Sequence, residues 1–140
     1  MFKGDKMKFK MKFESIDANS IRSLMDIFYA KVRVDKSGLG EIFNNKIGTD
    51  DANWSDHKEK IANFWEGLLL GSGNFRGNPM RTHIDLAPFP RELFAVWLKL
   101  FKESLECVYK EPEHQRVIFQ RAEMIAQRFQ YVLYESEIAY

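Results

Sequence analysis

The sequence of 140 residues is long enough to fold as one domain with its own hydrophobic core. Its 21 Lys and Arg residues are balanced by 20 Asp and Glu residues, so the net charge of +1 provides no long-range field that would attract nucleic acid or an anionic membrane. No apolar run approaches the roughly 18 residues that indicate a membrane span. These values argue against a polyanion-binding protein and against a membrane protein.

The N-terminal stretch alternates Lys with Phe or Met and contains no continuous apolar segment, so we do not interpret it as a secretory signal. We expect residues 1–10 to form a flexible extension. The single Cys107 cannot form an internal disulfide, which favours a reducing compartment, and its apolar surroundings in the sequence predict simple packing in the core. Together these features predict a cytoplasmic protein.

The first helix is predicted to begin after Asp17, where apolar residues start to recur every three or four positions, with Asp17 or Asn19 as its cap. Tyr29 lies at the edge of this apolar stripe. The glycines at positions 38 and 40 predict the end of the helix, and Phe43 is expected to be buried in a short helical turn, Glu41–Asn44. The stripe itself consists of Ile21, Leu24, Met25, Phe28 and Val32.

A second long helix is predicted to start after the cap candidates Thr49, Asp50 and Asp51 and to end near Leu70. His57 falls on its apolar stripe and should therefore face the core. A single histidine on such a face is more often a core residue satisfied by a hydrogen bond than a metal ligand. The stripe consists of Trp54, His57, Ile61, Phe64, Trp65 and Leu68.

Residues 71–89 are rich in glycine and proline, which predicts a long loop that carries His83 and leads to Pro90 in the first turn of another helix. One further helix is predicted from about Pro90 to Tyr109 and another from near Pro112 onward. Because no convincing pair of strands is present, the predicted class is all-α. The expected buried residues of these two helices are Leu93, Phe94, Trp97, Leu100, Phe101, Leu105, Val117, Ile118, Met124, Ile125, Phe129, Val132 and Leu133.

The placement of His57 on a helix and of His83 in a loop suggests two side chains that face opposite sides of a flat cofactor, and haem is the candidate. Haem iron in oxygen carriers takes one proximal histidine, and a porphyrin needs an apolar slot with a few polar groups. Aromatic residues make up 14% of the chain, although such stripes are more often plain core. No HExxH, CxxC or EF-hand spacing is present, and the glycines after Leu70 lack the pattern of a phosphate-binding loop.

A resemblance to a known family is carried by several segments in order. These segments are LMDIFYAKV, EIFNN.IGT, W..HK.KIANFW.GLLLG, RTHIDLAPFP and F.VWLKLF, where a dot stands for any residue. The third segment runs from Trp54 to Gly71. Over about residues 11 to 134 the chain resembles the bacterial truncated haemoglobins of group III. The resemblance implies that residues 11–140 form a truncated globin domain, a two-over-two helical sandwich around one haem b.

The same resemblance implies roles for individual residues. His83 matches the proximal ligand of the iron, and Tyr29, His57 and Trp97 match the polar residues on the distal side. Lys60 and Arg81 are candidates to pair with a haem propionate, although both could equally be solvated surface charges. The implied apolar walls of the haem pocket are Phe43, Ile61, Phe64, Trp65, Leu68, Leu86 and Phe94.

The three distal residues differ in the hydrogen bonds that they can donate. The Tyr29 hydroxyl and the Trp97 indole N–H are donors that could hold the partly negative outer atom of bound oxygen. Without the resemblance, we would expect the Tyr29 hydroxyl to reach solvent and the Trp97 N–H to bond a backbone carbonyl. His57 is open to a different interpretation, as a gate to the pocket.

Three functions remain open at this stage. The first, which we favour, is reversible binding of diatomic gases, namely oxygen, nitric oxide or carbon monoxide. The second is a haem enzyme that performs nitric oxide dioxygenation or peroxide chemistry with an external reductase, and it would use the same residues. The third is a haem-free helical interaction module that has kept the fold but lost the pocket.

Overall fold

The computed structural model describes residues 11–71 and 90–131, and within these ranges it contains five α-helices. The predicted all-α class is confirmed. The helices are α1 (Ala18–Val34), α2 (Leu39–Ile47), α3 (Asp51–Leu70), α4 (Leu93–Val108) and α5 (Pro112–Gln130). The predicted extension at residues 1–10 lies outside the described residues. In the described ranges no helix is long and apolar enough to cross a membrane.

The starts of the long helices follow from their capping residues. The Asp17 side chain accepts a hydrogen bond from the backbone N–H of Ser20 at 2.8 Å, while the Ser20 hydroxyl accepts one from the N–H of Asp17 at 2.9 Å. This reciprocal pair satisfies two backbone donors that the helix leaves free. The Asp50 side chain caps α3 by accepting one hydrogen bond of 2.7 Å from the N–H of Asn53, and Pro112 opens α5, where its missing N–H costs nothing.

The helices pack as two layers. Helix α1 packs against both α3 and α4, and α4 packs against α5, so the α1–α3 pair lies over the α4–α5 pair. Each helix contributes its apolar stripe to a single core, as expected for amphipathic helices. Ion pairs between Arg22 and Glu59 and between Lys58 and Asp26 connect the outer surfaces of α1 and α3.

Helix α2 is longer than the short turn that the sequence predicts, because it begins directly after Gly38, whose φ of 118° only glycine adopts readily. Gly40 lies against the end of α1. A Cβ atom at Gly40 would lie 2.5 Å from the carbonyl oxygen of Asp35 and 2.7 Å from that of Val32. The close approach sets the position of α2 and hence of Phe43, which is buried as predicted.

Replacing Gly40 with Ala should therefore lower the free energy of unfolding by about 1–3 kcal/mol, because neither backbone carbonyl can move without displacing a helix. Chemical denaturation of Gly40→Ala against the exposed neighbour Glu41→Ala measures the effect. Equal stabilities of the two variants would contradict the close approach.

Two expectations about packing are wrong. Cys107 is exposed, because Leu105 and Val108 take the core-facing positions of α4 and position 107 points away from them. Met124 is also exposed, since α5 turns Ala122 and Ala126 toward the core instead, two small residues that the sequence pattern did not single out.

The end of the N-terminal stretch is docked. The backbone N–H of Phe13 donates to the Val108 carbonyl at 2.8 Å, and the Phe13 carbonyl accepts from the N–H of Lys110 at 2.9 Å. This isolated bridge to Tyr109 anchors the chain just before α1. Pairing with a residue nearly one hundred positions away leaves no local signal in the sequence.

Candidate functional site

A small apolar cavity of about 20 Å³ lies where helices α1, α3, α4 and α5 converge. Two of its lining residues, Tyr29 and Trp97, carry polar hydrogens, and the rest are aliphatic, aromatic or thioether side chains. A cavity of this volume has room for a molecule about the size of water, and its few polar groups are the only ones that could bond to such a molecule from the lining. Its lining consists of Met25, Phe28, Tyr29, Ile61, Phe64, Trp65, Trp97, Phe101, Ile125 and Phe129.

Tyr29 is buried on α1 with only 2% of its surface exposed, so its hydroxyl does not extend into solvent as an isolated tyrosine at the stripe's edge would. Its ring packs edge-on against Phe28, with ring centroids 4.8 Å apart. Burial raises the pKa of the Tyr29 phenol above its usual range, because the charged phenolate would be desolvated. The side chain therefore remains a neutral O–H donor at the edge of the cavity.

Trp97 on α4 is the second donor. Its ring stacks on Phe101 with centroids 5.8 Å apart and meets Phe28 edge-on at the same distance. Its indole Nε1 is buried, and no acceptor within residues 11–71 and 90–131 forms a hydrogen bond with it. The described part of the chain thus contains no carbonyl partner of the kind that a structural tryptophan normally finds.

His57 on α3 is set back from the cavity and does not line it. Its imidazole packs edge-on against Tyr29, with ring centroids 4.9 Å apart, and lies 6.4 Å from Phe43. The structure therefore places Tyr29 and Trp97 on the cavity and His57 behind Tyr29.

Within the described residues, the predicted apolar walls fall into three groups. Ile61, Phe64 and Trp65 line the cavity from α3. Phe43 and Phe94 are buried in the same core but do not line it, and Leu68 borders a separate groove beside α5.

The candidate propionate partner Lys60 is exposed and forms an ion pair with Asp56, with Nζ and Oδ2 3.2 Å apart. The other candidate, Arg81, lies outside the described residues, as do His83 and the wall residue Leu86.

Five lining residues were not among the predicted site residues, although all belong to apolar stripes of the sequence. Met25 and Phe28 precede Tyr29 by four and one positions, and Phe101 follows Trp97 by one helical turn. Residues one turn from a site residue share its helix face, so their spacing from Tyr29 and Trp97 could have identified Met25 and Phe101 as lining residues. Ile125 and Phe129 come from α5, and only the packing of α5 against α4 brings them to the cavity.

Comparison with known proteins agrees with this geometry. The model of the bacterial-like globin family matches residues 12–131. The group 3 truncated haemoglobin ctb of Campylobacter jejuni is 59% identical over 125 residues, which span 89% of this chain and 97% of that protein.

The chain belongs to the group III truncated haemoglobins. The crystal structure of the group III truncated haemoglobin from Campylobacter jejuni matches this truncated haemoglobin with a TM-score of 0.84 at 58% identity, covering 90% of this chain and 98% of that chain. The predicted family and globin fold are confirmed. Family membership supports globin-type haem binding and diatomic gases as ligands, and it argues against a haem-free interaction module.

The donor set of this truncated haemoglobin fits such a cofactor. A buried indole N–H without an acceptor in the described residues and a neutral phenol both border one apolar cavity. A solitary buried donor is costly unless something completes its hydrogen bond. A polar diatomic ligand held at this cavity would supply the missing acceptor.

Proposed function

We propose that this truncated haemoglobin binds oxygen reversibly with haem b, using His83 as the proximal ligand and Tyr29 and Trp97 as distal donors. The observation that carries the proposal is the buried Trp97 Nε1, which lacks an acceptor in the described residues beside an apolar cavity that Tyr29 also lines. Haem supplies a ferrous iron to which diatomic gases, including nitric oxide and carbon monoxide, bind reversibly.

The distal residues stabilise the ligand through hydrogen bonds. Each neutral donor contributes about 1 kcal/mol, and more as the acceptor gains charge, while about 1.4 kcal/mol corresponds to a tenfold change in affinity. Two donors that converge on one atom therefore slow the escape of oxygen substantially. A nonpolar ligand such as carbon monoxide gains less, so the same pair favours oxygen over carbon monoxide.

The remaining residues hold the cofactor. Ile61, Phe64 and Trp65 exclude water from the cavity side, which strengthens the hydrogen bonds made there. Lys60 and Arg81 are proposed to meet the propionates. The present Lys60–Asp56 pair is a solvent-exposed ion pair, and such pairs contribute too little to prevent Lys60 from exchanging partners.

The test is an oxygen equilibrium measured on the reduced, haem-loaded protein, together with the rate of oxygen dissociation. Reversible and stoichiometric binding with slow release supports the proposal. Sustained formation of nitrate from nitric oxide with a reductase present would instead identify the protein as a nitric oxide dioxygenase. Sustained peroxide turnover would identify it as a peroxidase.

We further propose that His57 gates the pocket. Its ring packs edge-on against Tyr29, which lines the cavity, so His57 acts on the pocket through Tyr29. Leu lacks these edge-to-face contacts, so His57→Leu should raise the association rate of carbon monoxide several times while changing its dissociation rate much less. Flash photolysis measures both rates, with His114→Leu as a control on the half-buried histidine of α5. A larger change in dissociation than in association would make His57 a direct ligand contact.

A further inference from the structure

Trp54, in the first turn of α3, contacts both distal side chains without lining the cavity. Its side chain is fully buried. Its ring centroid lies 5.6 Å from that of Tyr29 and 5.7 Å from that of His57. Trp54 therefore forms the back wall against which the two distal rings rest.

Trp54 is itself fixed from two sides. Its indole Nε1 donates a hydrogen bond of 2.8 Å to the carbonyl of Gly48, the residue that ends α2. The guanidinium of Arg33, near the end of α1, lies over the indole ring 5.1 Å from its centroid. The ring is thus held by hydrogen bonding at one edge and by a cation–π contact on one face.

The Arg33 side chain is anchored in turn at the start of α3. It donates to the Thr49 carbonyl at 3.1 Å and to the Asp51 carboxylate at 3.2 Å. The carbonyl of Arg33 accepts a hydrogen bond of 3.1 Å from the Asn44 side chain on α2. The end of α1, helix α2 and the start of α3 are therefore connected around one indole.

We infer that Trp54 is a positioning residue that fixes the orientation of the Tyr29 phenol and thereby sets the strength of its hydrogen bond to a ligand. The inference rests on the proposed distal role of Tyr29. Hydrogen bonds weaken steeply as the donor angle departs from linearity, so a small rotation of the phenol loses much of the bond. Phe28 and Phe43 pack against Tyr29 from other directions. Removing the indole of Trp54 therefore leaves a void on its own side, into which the Tyr29 and His57 rings rotate.

The experiment compares Trp54→Leu and Trp54→Phe with the wild type, each as the full chain loaded with haem in its ferrous carbon monoxide form. Ring-flip rates of Tyr29 by NMR report its packing, and the vibrational frequencies of the carbon monoxide ligand report the distal hydrogen bond. Oxygen dissociation is measured on the same samples. Tyr109→Leu is the matched control, because Tyr109 is equally buried but its hydroxyl bonds Ser20 and its side chain does not line the cavity.

Trp54→Leu should speed the Tyr29 ring flip, shift the carbon monoxide frequencies toward those of Tyr29→Phe, and raise the oxygen dissociation rate about fivefold. Trp54→Phe keeps an aromatic wall but loses the bond to Gly48, so it should lie between Trp54→Leu and the wild type. If Trp54→Leu does not fold, the same three measurements on Trp54→Phe still test the inference. Tyr109→Leu should lose stability without changing any of the three readouts.

If the Trp54 variants kept the wild-type ring-flip rate of Tyr29 and the wild-type carbon monoxide frequencies, the inference would be wrong. Trp54 would then contribute only to stability, as Tyr109 does. The failure of the proposed function gives a different result. In that case Tyr29→Phe itself leaves oxygen dissociation unchanged, while the ring-flip rate still reports whether Trp54 fixes Tyr29.

Discussion

Replacing His83 with Ala is expected to abolish stable haem retention by this truncated haemoglobin. The bond between the imidazole and the iron is the one strong directional link that the proposal assigns to the protein, and the apolar walls alone hold a porphyrin only by burial. Haem-loaded His83→Ala should lose its cofactor on gel filtration under conditions in which the wild type keeps it. Any haem that remains should lack the spectrum of a histidine-ligated iron.

Two controls separate ligand loss from unfolding. His114→Ala removes a histidine that packs against Tyr109 at the start of α5, far from the cavity lining, and should retain haem normally. Added imidazole should restore the spectrum of His83→Ala, because it supplies the missing ligand in the space that the side chain leaves. Unchanged haem retention and an unchanged spectrum in His83→Ala would refute the assignment of His83.

Replacing Tyr29 with Phe is expected to raise the oxygen dissociation rate about tenfold, the equivalent of about 1.4 kcal/mol. The substitution removes only the hydroxyl, and the ring contacts with Phe28, Trp54 and His57 remain. Because burial raises the pKa of this phenol, the wild-type group is a protonated donor at neutral pH. Stopped-flow displacement of oxygen by carbon monoxide measures the rate.

Tyr109→Phe is the matched control for this prediction. It also removes a phenol hydroxyl from a fully buried ring, but that hydroxyl bonds Ser20 at 2.9 Å and does not border the cavity. Its oxygen dissociation rate should equal that of the wild type. An unaltered rate in Tyr29→Phe would mean that Trp97 or a water molecule holds the ligand.

The helices could be predicted from the sequence because their causes are local. Asp17, Asp50 and Pro112 are capping residues whose effect acts within one turn, and the start of each helix was expected beside them. The apolar spacing likewise placed Ile61 and Trp65 on the face of α3 that lines the cavity. In α5 the apolar spacing predicted that Met124 faces the core, but the smaller Ala126 is buried there instead, so this prediction was wrong.

The candidate site was less accessible to sequence reasoning, because its residues meet only through packing. Tyr29 looked like a boundary residue by periodicity, and its burial comes from the rings of Phe43, Trp54 and His57 on two other helices. The family resemblance proposed Tyr29, His57 and Trp97 as one distal group, but it did not show that His57 lies behind Tyr29. The connection from Arg33 through Trp54 to Tyr29 joins residues whose spacing follows no period.

We propose that the chain holds haem by one histidine and leaves the opposite side open to a gas between two donors. Absorption spectra of the purified full-length protein loaded with haem, recorded oxidised, reduced and reduced under carbon monoxide, test it most directly. We expect an intense Soret band that shifts on reduction and shifts again with carbon monoxide, as a five-coordinate ferrous haem with a histidine ligand does. The spectrum of free haem in the presence of the protein, or a reduced form that does not respond to carbon monoxide, would contradict it.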